Sequence, residues 1–434
     1  MSSKDNSVFA LVDCNNFYAS CEKLFRPDLA KVPVVVLSNN DGCVVARSKE
    51  AKQLGIKMGV PVFQVQALMR QHGVRAFSSN YALYADMSQR VMSTLEAMAP
   101  KVEVYSIDEA FLDLAGLQPL RNLTAFGLEI RQRIQQWQGI TVCVGIAPSK
   151  TLAKLANHAA KTWHKTGGVV DLTDRSRQRK LLALLPVNEV WGIGGKLSKR
   201  LQQLGIDTAL QLADANPNYI RQHFSVVVER TVRELNGESC MVLEDIASTK
   251  KQIISSRSFG QRITDKHQMC EAISEYISRA CNKLRHEQQQ AKHLTVFMRT
   301  SPFSDKDPPY SASKSVALDT PASDTRLFLA KAMQLLDVLW VNGHRYAKAG
   351  VMLTDFYDPG VVQPDLFCEQ ANVAEQPGRA QADQKLMQLI DKLNAKQSKT
   401  IWFASQGGKQ EWSMKRDMLS PAYTTNWGEL PAVK

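Results

Sequence analysis

The chain has 434 residues, a formal net charge of +12 and 44% hydrophobic residues. That length exceeds one ordinary core and implies several domains, and the apolar share excludes a wholly disordered chain. The basic excess fits a polyanionic partner, nucleic acid first, while no apolar run approaches a membrane span.

Met1–Ser7 is polar and short, unlike a signal peptide. The eight cysteines, Cys14, Cys21, Cys43, Cys143, Cys240, Cys270, Cys281 and Cys368, show no metal spacing and are read as reduced thiols. A cytoplasmic protein with no membrane partner is therefore expected.

In chain order, Val8-Phe9-Ala10-Leu11-Val12 is a strand ending in a carboxylate, Asp13. Val34–Leu37 is a buried strand, followed by the turn Asn39-Asn40-Asp41-Gly42. Ser48 to Leu54 reads as a helix stopped by Gly55, and Tyr84 to Met98 as a helix ending at Pro100. Val102–Tyr105 and Ala110–Leu114 flank an acidic turn as hairpin strands. A helix over Leu123 to Trp137 and a strand over Thr141–Ala147 complete a ferredoxin-like pattern with residues about 17–79 inserted as a lobe.

Residues 169–236 are expected to be wholly helical. There Gly192-Ile193-Gly194 sits between two helices, like a helix-hairpin-helix turn, and Lys196, Lys199 and Arg200 lie on the helix that follows. Such glycines let backbone N–H groups approach a phosphate; a plain packing joint is the alternative. Residues 237–252 read as a linker. Strands and helices from Ile253 to Phe356 then repeat a β-α-β-β-α-β order, with Lys251, Arg257, Arg262, Lys292 and Arg299 as candidates for a DNA face. Beyond Phe356 the composition turns polar, with one helical pattern from Asp383 to Leu393, and residues 358–434 are expected to be a partly ordered tail that folds against partners.

The chemistry concentrates in three carboxylates. Asp13 ends one strand, and Asp108 and Glu109 occupy the hairpin turn in Tyr105-Ser106-Ile107-Asp108-Glu109-Ala110-Phe111. Neighbouring strands could bring all three to one sheet edge. Converging carboxylates repel and are costly to bury, and a hard divalent cation removes that cost. A pair of such ions suits phosphoryl transfer. Solvated turn acids are the bland alternative.

An early Asp followed by a Ser-Ile-Asp-Glu-Ala hairpin resembles the Y-family DNA polymerases, and the resemblance continues to the last strand near Phe356. It implies an α+β multidomain right hand: a ferredoxin-like palm (1–16 and 80–168), small fingers (17–79), a helical thumb with a helix-hairpin-helix (169–236), a linker (237–252) and a ferredoxin-like little finger domain (253–357). It implies two Mg²⁺ ions held by Asp13, Asp108, Glu109 and the backbone carbonyl of Cys14. In Asn15-Asn16-Phe17-Tyr18, it implies that Phe17 and Tyr18 border the nucleotide and that the Tyr18 ring excludes a 2′-hydroxyl; ordinary core aromatics are the alternative. The family's Tyr-Glu-Ala-Arg element stands here as Lys49-Glu50-Ala51-Lys52, a departure at both ends. Lys52 can serve as a point charge, the role of Lys49 stays open, and Lys161 matches the family's second phosphate lysine.

Val36 to Arg47, Phe77 to Tyr81, Lys150 to His158 and Ser420 to Thr425 resemble the branch typified by the catalytic subunit of bacterial DNA polymerase V (the UmuC type). The resemblance implies error-prone translesion synthesis in the SOS DNA-damage response without proofreading. Its implied partners are primer-template DNA, deoxynucleoside triphosphates, a dimer of the cleaved UmuD-type accessory protein and the RecA recombinase. Gln363-Pro364-Asp365-Leu366-Phe367 resembles a sliding-clamp docking peptide, with Gln363, Leu366 and Phe367 as anchors and Pro364 as a departure. The rival readings are a cyclic-nucleotide synthase on a similar palm and a catalytically silent scaffold that binds damaged DNA.

Overall fold

The computed structural model describes residues 7–117, 120–244, 249–304, 307–359, 377–396, 400–408 and 411–430. These fall into two units: residues 7–38, 42–244 and 417–430, and residues 39–41, 249–359, 377–396, 400–408 and 411–416.

The first unit runs β1 (Phe9–Cys14), α1 (Phe17–Leu24), β2 (Val34–Leu37), β3 (Val44–Arg47), α2 (Lys49–Gln53), α3 (Val62–Gln71), β4 (Arg75–Ser78) and α4 (Tyr81–Met98). It continues with β5 (Lys101–Val104), β6 (Glu109–Asp113), α5 (Leu123–Gln138), β7 (Val142–Ala147), α6 (Lys150–Thr162) and β8 (Val169–Asp171). Helices α7 (Arg175–Leu184), α8 (Gly195–Gln203), α9 (Ala209–Asp214), α10 (Pro217–His223) and α11 (Val226–Leu235) follow.

β1 is apolar until its acidic end because it is the middle of a five-stranded sheet, ordered β5-β6-β1-β7-β8, and is covered on both faces. Alternation divides its residues. Ala10, Val12 and Cys14 share a core with Leu83, Val91 and Leu95 of α4 and Phe126, Ile130 and Ile134 of α5. Phe9 and Leu11 face Leu152, Leu155, Ala156 and Ala159 of α6, in a core that extends into helices α7–α11. By the same parity Asp13 belongs to the α6 face. A smaller sheet, β3-β2-β4, packs with α2 and α3 around Val35, Leu37, Ile56 and Met69. The expectation of a wholly helical 169–236 is corrected at its start: Val169–Asp171 pairs in parallel with β7 as the outer strand of the large sheet.

The second unit runs β9 (Gln252–Ile263), α12 (Lys266–His286), β10 (Gln290–Arg299), β11 (Ser311–Ala322), α13 (Thr325–Leu339), β12 (Tyr346–Tyr357) and α14 (Pro377–Lys396). The β-α-β-β-α-β order is the expected one. The antiparallel sheet is ordered β11-β10-β12-β9, and α12 and α13 bury Tyr276 and Phe328 against one face. Gly350 on the opposite face leaves room for the Phe297 ring, which a Cβ would meet at 2.6 Å.

The C-terminal region is less of a free tail than its polarity suggests. Asp391 of α14 takes two hydrogen bonds from Arg285, at 2.6 and 2.8 Å. Trp412 joins the core of the second unit and Tyr423 the core of the first. Residues 363–367, expected to be a clamp-docking peptide, lie outside the described residues. Among the described residues no helix is long and apolar enough to cross a membrane.

Candidate active site

Asp13 and Glu109 are register partners on the antiparallel strands β1 and β6, on the same face of the sheet. Asp108 precedes Glu109 in the hairpin turn, its Oδ1 accepting from Ser106 Oγ at 2.7 Å. The same Ser106 oxygen accepts from the N–H groups of Asp108 and Glu109 at 3.3 and 3.1 Å, which fixes the turn. Cys14 ties β1 to this turn: its N–H donates to the Asp108 carbonyl at 2.9 Å, while its side chain is buried. The four residues expected together are therefore adjacent.

Helix α6 supplies the opposing charge. Gly145 of β7 lets it dock closely, since a Cβ there would meet Asn157 N at 2.2 Å and Ala153 O at 2.3 Å. Asn157, buried at that contact, donates to the carbonyls of Leu11 (3.1 Å) and Cys143 (2.8 Å), pinning the helix across β1 and β7. Seven residues make about two helical turns, so Lys154 and Lys161 project from one face. Lys161 pairs with Asp13 Oδ2, and Lys154 with Glu109 Oε2 at 3.3 Å. Lys154 is also held over the rings of Tyr105 (4.3 Å) and Trp191 (4.9 Å). Neither Lys154 nor Trp191 received a role from the sequence; the seven-residue spacing from Lys161 was the available signal for Lys154.

Burial, opposed by the Lys161 ammonium and reinforced by a hydrogen bond with Glu109, pushes the Asp13 carboxyl up to about 7. Among the described residues no three His, Cys, Asp or Glu side chains converge closely enough to hold a metal ion as they stand. The two facing carboxylates are instead turned to lysines. Lys52 joins the same field. Partial burial, then the Arg47 and Lys161 charges, lower its ammonium, and Asp13 opposes them. Arg47, at the end of β3, donates to the Ile56 carbonyl at 2.8 Å and keeps a buried Nε without a partner. Sequence reasoning missed it, because only strand pairing brings it to this cluster. Lys49 is exposed on the first turn of α2.

Phe17 and Tyr18 divide between core and site. Phe17 is 3% exposed within the first core, the α1 periodicity turning its ring inward. Tyr18 is half-buried. Its ring stacks on Tyr84 at 4.4 Å and 16° and meets Tyr81 edge-on at 6.2 Å. Burial, the Tyr81 phenol and the Asp108 charge raise its hydroxyl above the ordinary range.

On α8, Lys196 and Lys199 are exposed near a helix start whose N-cap, Gly194, contributes no side chain. Arg200 on the same helix is exposed too. It donates to the His223 carbonyl at 2.8 Å and lies 4.7 Å from the Phe224 ring, bridging α8 to the end of α10. Arg257, expected on a DNA face, is half-buried. It shares a parity with Ile253, Ser255 and Phe259, the face covered by α12, and its charge reaches Tyr276 on that helix. The uncovered face carries Arg299 and Lys348, which are register partners on β10 and β12.

The chain matches the impB/mucB/samB family over residues 12–158, the IMS family HHH motif over 175–206 and the impB/mucB/samB family C-terminal domain over 250–366. Residues 384–433 match a domain of unknown function. The protein UmuC of Salmonella typhimurium is 55% identical over 429 residues, which are 98% of this chain and 100% of that protein. DNA polymerase IV of Dehalococcoides mccartyi is 27% identical over 89% of this chain and 93% of its own length. A solved Y-family DNA polymerase chimera superposes with a TM-score of 0.65 at 24% identity, covering 81% of this chain and 99% of that one.

Proposed function

The chain belongs to the impB/mucB/samB family, the UmuC-type branch of the Y-family DNA polymerases, and on that premise we propose that it is an error-prone translesion enzyme of the SOS response. It is a DNA-directed DNA polymerase, and in this reading it adds deoxynucleotides opposite damaged template bases. The observation that carries the reading is the pairing of Asp13 with Glu109 at one sheet edge, beside Asp108 and under the lysines of α6.

The donor set fits a hard divalent cation. It consists of carboxylate oxygens and a backbone carbonyl, and burial, the main cause of the raised Asp13 carboxyl, is a cost that a bound cation offsets. Asp13, Asp108, Glu109 and the Cys14 carbonyl are the residues that would hold two Mg²⁺ ions. Bound there, Mg²⁺ acidifies a primer 3′-hydroxyl and offsets charge on a triphosphate. The chain's own groups do the rest. Lys161, Lys52 and Arg47 supply cations for the triphosphate, alongside the first-turn N–H groups of α1. Tyr18 forms the wall against a 2′-hydroxyl.

The five-stranded sheet with α4–α6 serves as palm, the β3-β2-β4 lobe as fingers, α7–α11 as thumb and residues 253–357 as little finger. Lys196, Lys199 and the start of α8 hold backbone phosphates of primer-template DNA, and Arg299 and Lys348 support a second phosphate contact. The UmuC relationship supports an accessory dimer of the cleaved UmuD type and RecA as partners, and Gln363-Pro364-Asp365-Leu366-Phe367 supports a sliding clamp.

The test is primer extension with Mg²⁺ on a template carrying an abasic site, with RecA and the accessory dimer supplied. The expected product extends past the lesion. Retained DNA binding without extension on damaged or intact template would instead indicate a silent scaffold.

A further inference from the structure

Tyr84 lies beneath the residue assigned to sugar discrimination, and its environment is built from three separated parts of the chain. Tyr18 and Glu22 stand four residues apart on α1 and so share a face. The fully buried Tyr84, on α4, touches both: its ring stacks on Tyr18 at 4.4 Å, and its hydroxyl donates to Glu22 Oε1 at 2.5 Å. Glu22 is 0% exposed. Its Oε1 accepts a second hydrogen bond, from Ser420 Oγ at 3.1 Å.

Ser420 is itself anchored. Asn80, which caps α4 by accepting from Leu83 N–H, donates through Nδ2 to Ser420 Oγ (3.0 Å) and the Ser420 carbonyl (3.2 Å). On one side, Ser78 N–H donates to the Met418 carbonyl at 2.9 Å. On the other, Tyr423 stacks on Phe25, just past α1, at 4.8 Å and 17°. The segment 418–423 thus fastens the start of α4 to the end of α1. It belongs to the region whose family match carries no assigned function.

Packing alone does not require this arrangement. A leucine at position 22 would fill the space without burying a carboxyl, which is costly unless hydrogen-bonded. What the acid adds is direction: with two donors on one oxygen it fixes where the Tyr84 hydroxyl sits, and hence the tilt of the ring under Tyr18. A wall that must tell one oxygen from a hydrogen needs such fixing, because small displacements of a discriminating group relax selectivity.

We propose that Tyr84, Glu22 and Ser420 are positioning residues for nucleotide sugar selection, and that the C-terminal segment around Ser420 is a clasp holding the Tyr18 wall in place. The proposal rests on the reading of Tyr18 as that wall.

The experiment uses the full-length chain and measures single-nucleotide insertion of matched deoxyribo- and ribonucleotides for Tyr18→Ala, Tyr84→Leu, Tyr84→Phe and Ser420→Ala, with the melting temperature of each. Tyr18→Ala relaxes the ratio most. Tyr84→Leu raises relative ribonucleotide use by about tenfold, and Tyr84→Phe and Ser420→Ala by about threefold, chiefly through a lower ribonucleotide KM. Tyr84→Phe keeps the ring and volume, so the test survives if Tyr84→Leu does not fold. Relaxation by Tyr18→Ala with unchanged ratios in both Tyr84→Phe and Ser420→Ala overturns the proposal. An equal loss of rate with both nucleotides reports structural support only and also overturns it. An unchanged ratio in Tyr18→Ala itself rejects the wall reading and takes the clasp with it.

Discussion

Glu22 is an acid in a place where packing would accept a leucine, and its titration has a measurable consequence. Burial raises its carboxyl from the ordinary 4.5 to about 7, against the hydrogen bonds from Tyr84 and Ser420. Between those values the native chain holds a proton that the unfolded chain releases. The stability contributed by this group is therefore complete below about pH 4.5 and lost as pH rises through 7. Glu22→Gln removes the dependence. Between pH 4.5 and 8 the variant gains up to about 3 kcal/mol on the parent, read from urea midpoints. Parallel profiles would place no titrating proton on Glu22. None of this was legible in the sequence, since only the fold joins residues 22, 84 and 420. Asp13, Asp108 and Glu109 were legible because each stands where a strand ends or a hairpin turns. The face taken by Arg257 was not legible, because a basic residue in a strand says nothing of which side it takes.

At the scale of elements, α6 decides the site. Its docking depends on Gly145, where a methyl group would strike helix backbone. Gly145→Ala should destabilise the chain by about 1–3 kcal/mol and slow insertion further by displacing Lys154 and Lys161; an insertion rate equal to the parent's would show that α6 tolerates the shift. The α8 residues separate by role. Charge reversal at Lys196 and Lys199 should weaken binding to all DNA sequences alike and flatten the salt dependence by roughly one unit of slope for each phosphate no longer neutralised. Arg200→Ala should leave that slope alone and lower thermal stability, because its guanidinium is committed to His223 and Phe224. An unaltered slope in the double lysine variant would return α8 to a packing joint. The long periodic elements were readable from sequence because burial on one face imposes a period. The three residues of β8 were not, since so short a run between helical patterns carries no period of its own.

At the scale of the molecule, the strand–helix order of residues 8–168 and the β-α-β-β-α-β order of residues 253–357 were readable from the sequence, whereas the C-terminal region was not. Its composition is polar, yet Trp412 and Tyr423 reach two different cores, and a single buried aromatic in a polar stretch leaves no pattern to read. The peptide proposed to dock on a clamp, residues 363–367, carries a separate claim. Leu366→Ala with Phe367→Ala should preserve unfolding temperature and single-nucleotide insertion while removing stimulation by a loaded clamp on circular template, because tethering acts through effective concentration. Equal stimulation of parent and variant would reject docking by this peptide. The central claim is that the carboxylates at the β1–β6 edge carry nucleotidyl transfer. Asp108→Asn keeps the size of the side chain and removes its charge. Primer extension with Mg²⁺, beside a DNA-binding measurement on the same preparation, is the direct test. Loss of at least about a thousandfold in rate with DNA binding retained is the predicted result. Extension above about a tenth of the parent rate would contradict it, since so small a loss is little more than 1 kcal/mol of barrier.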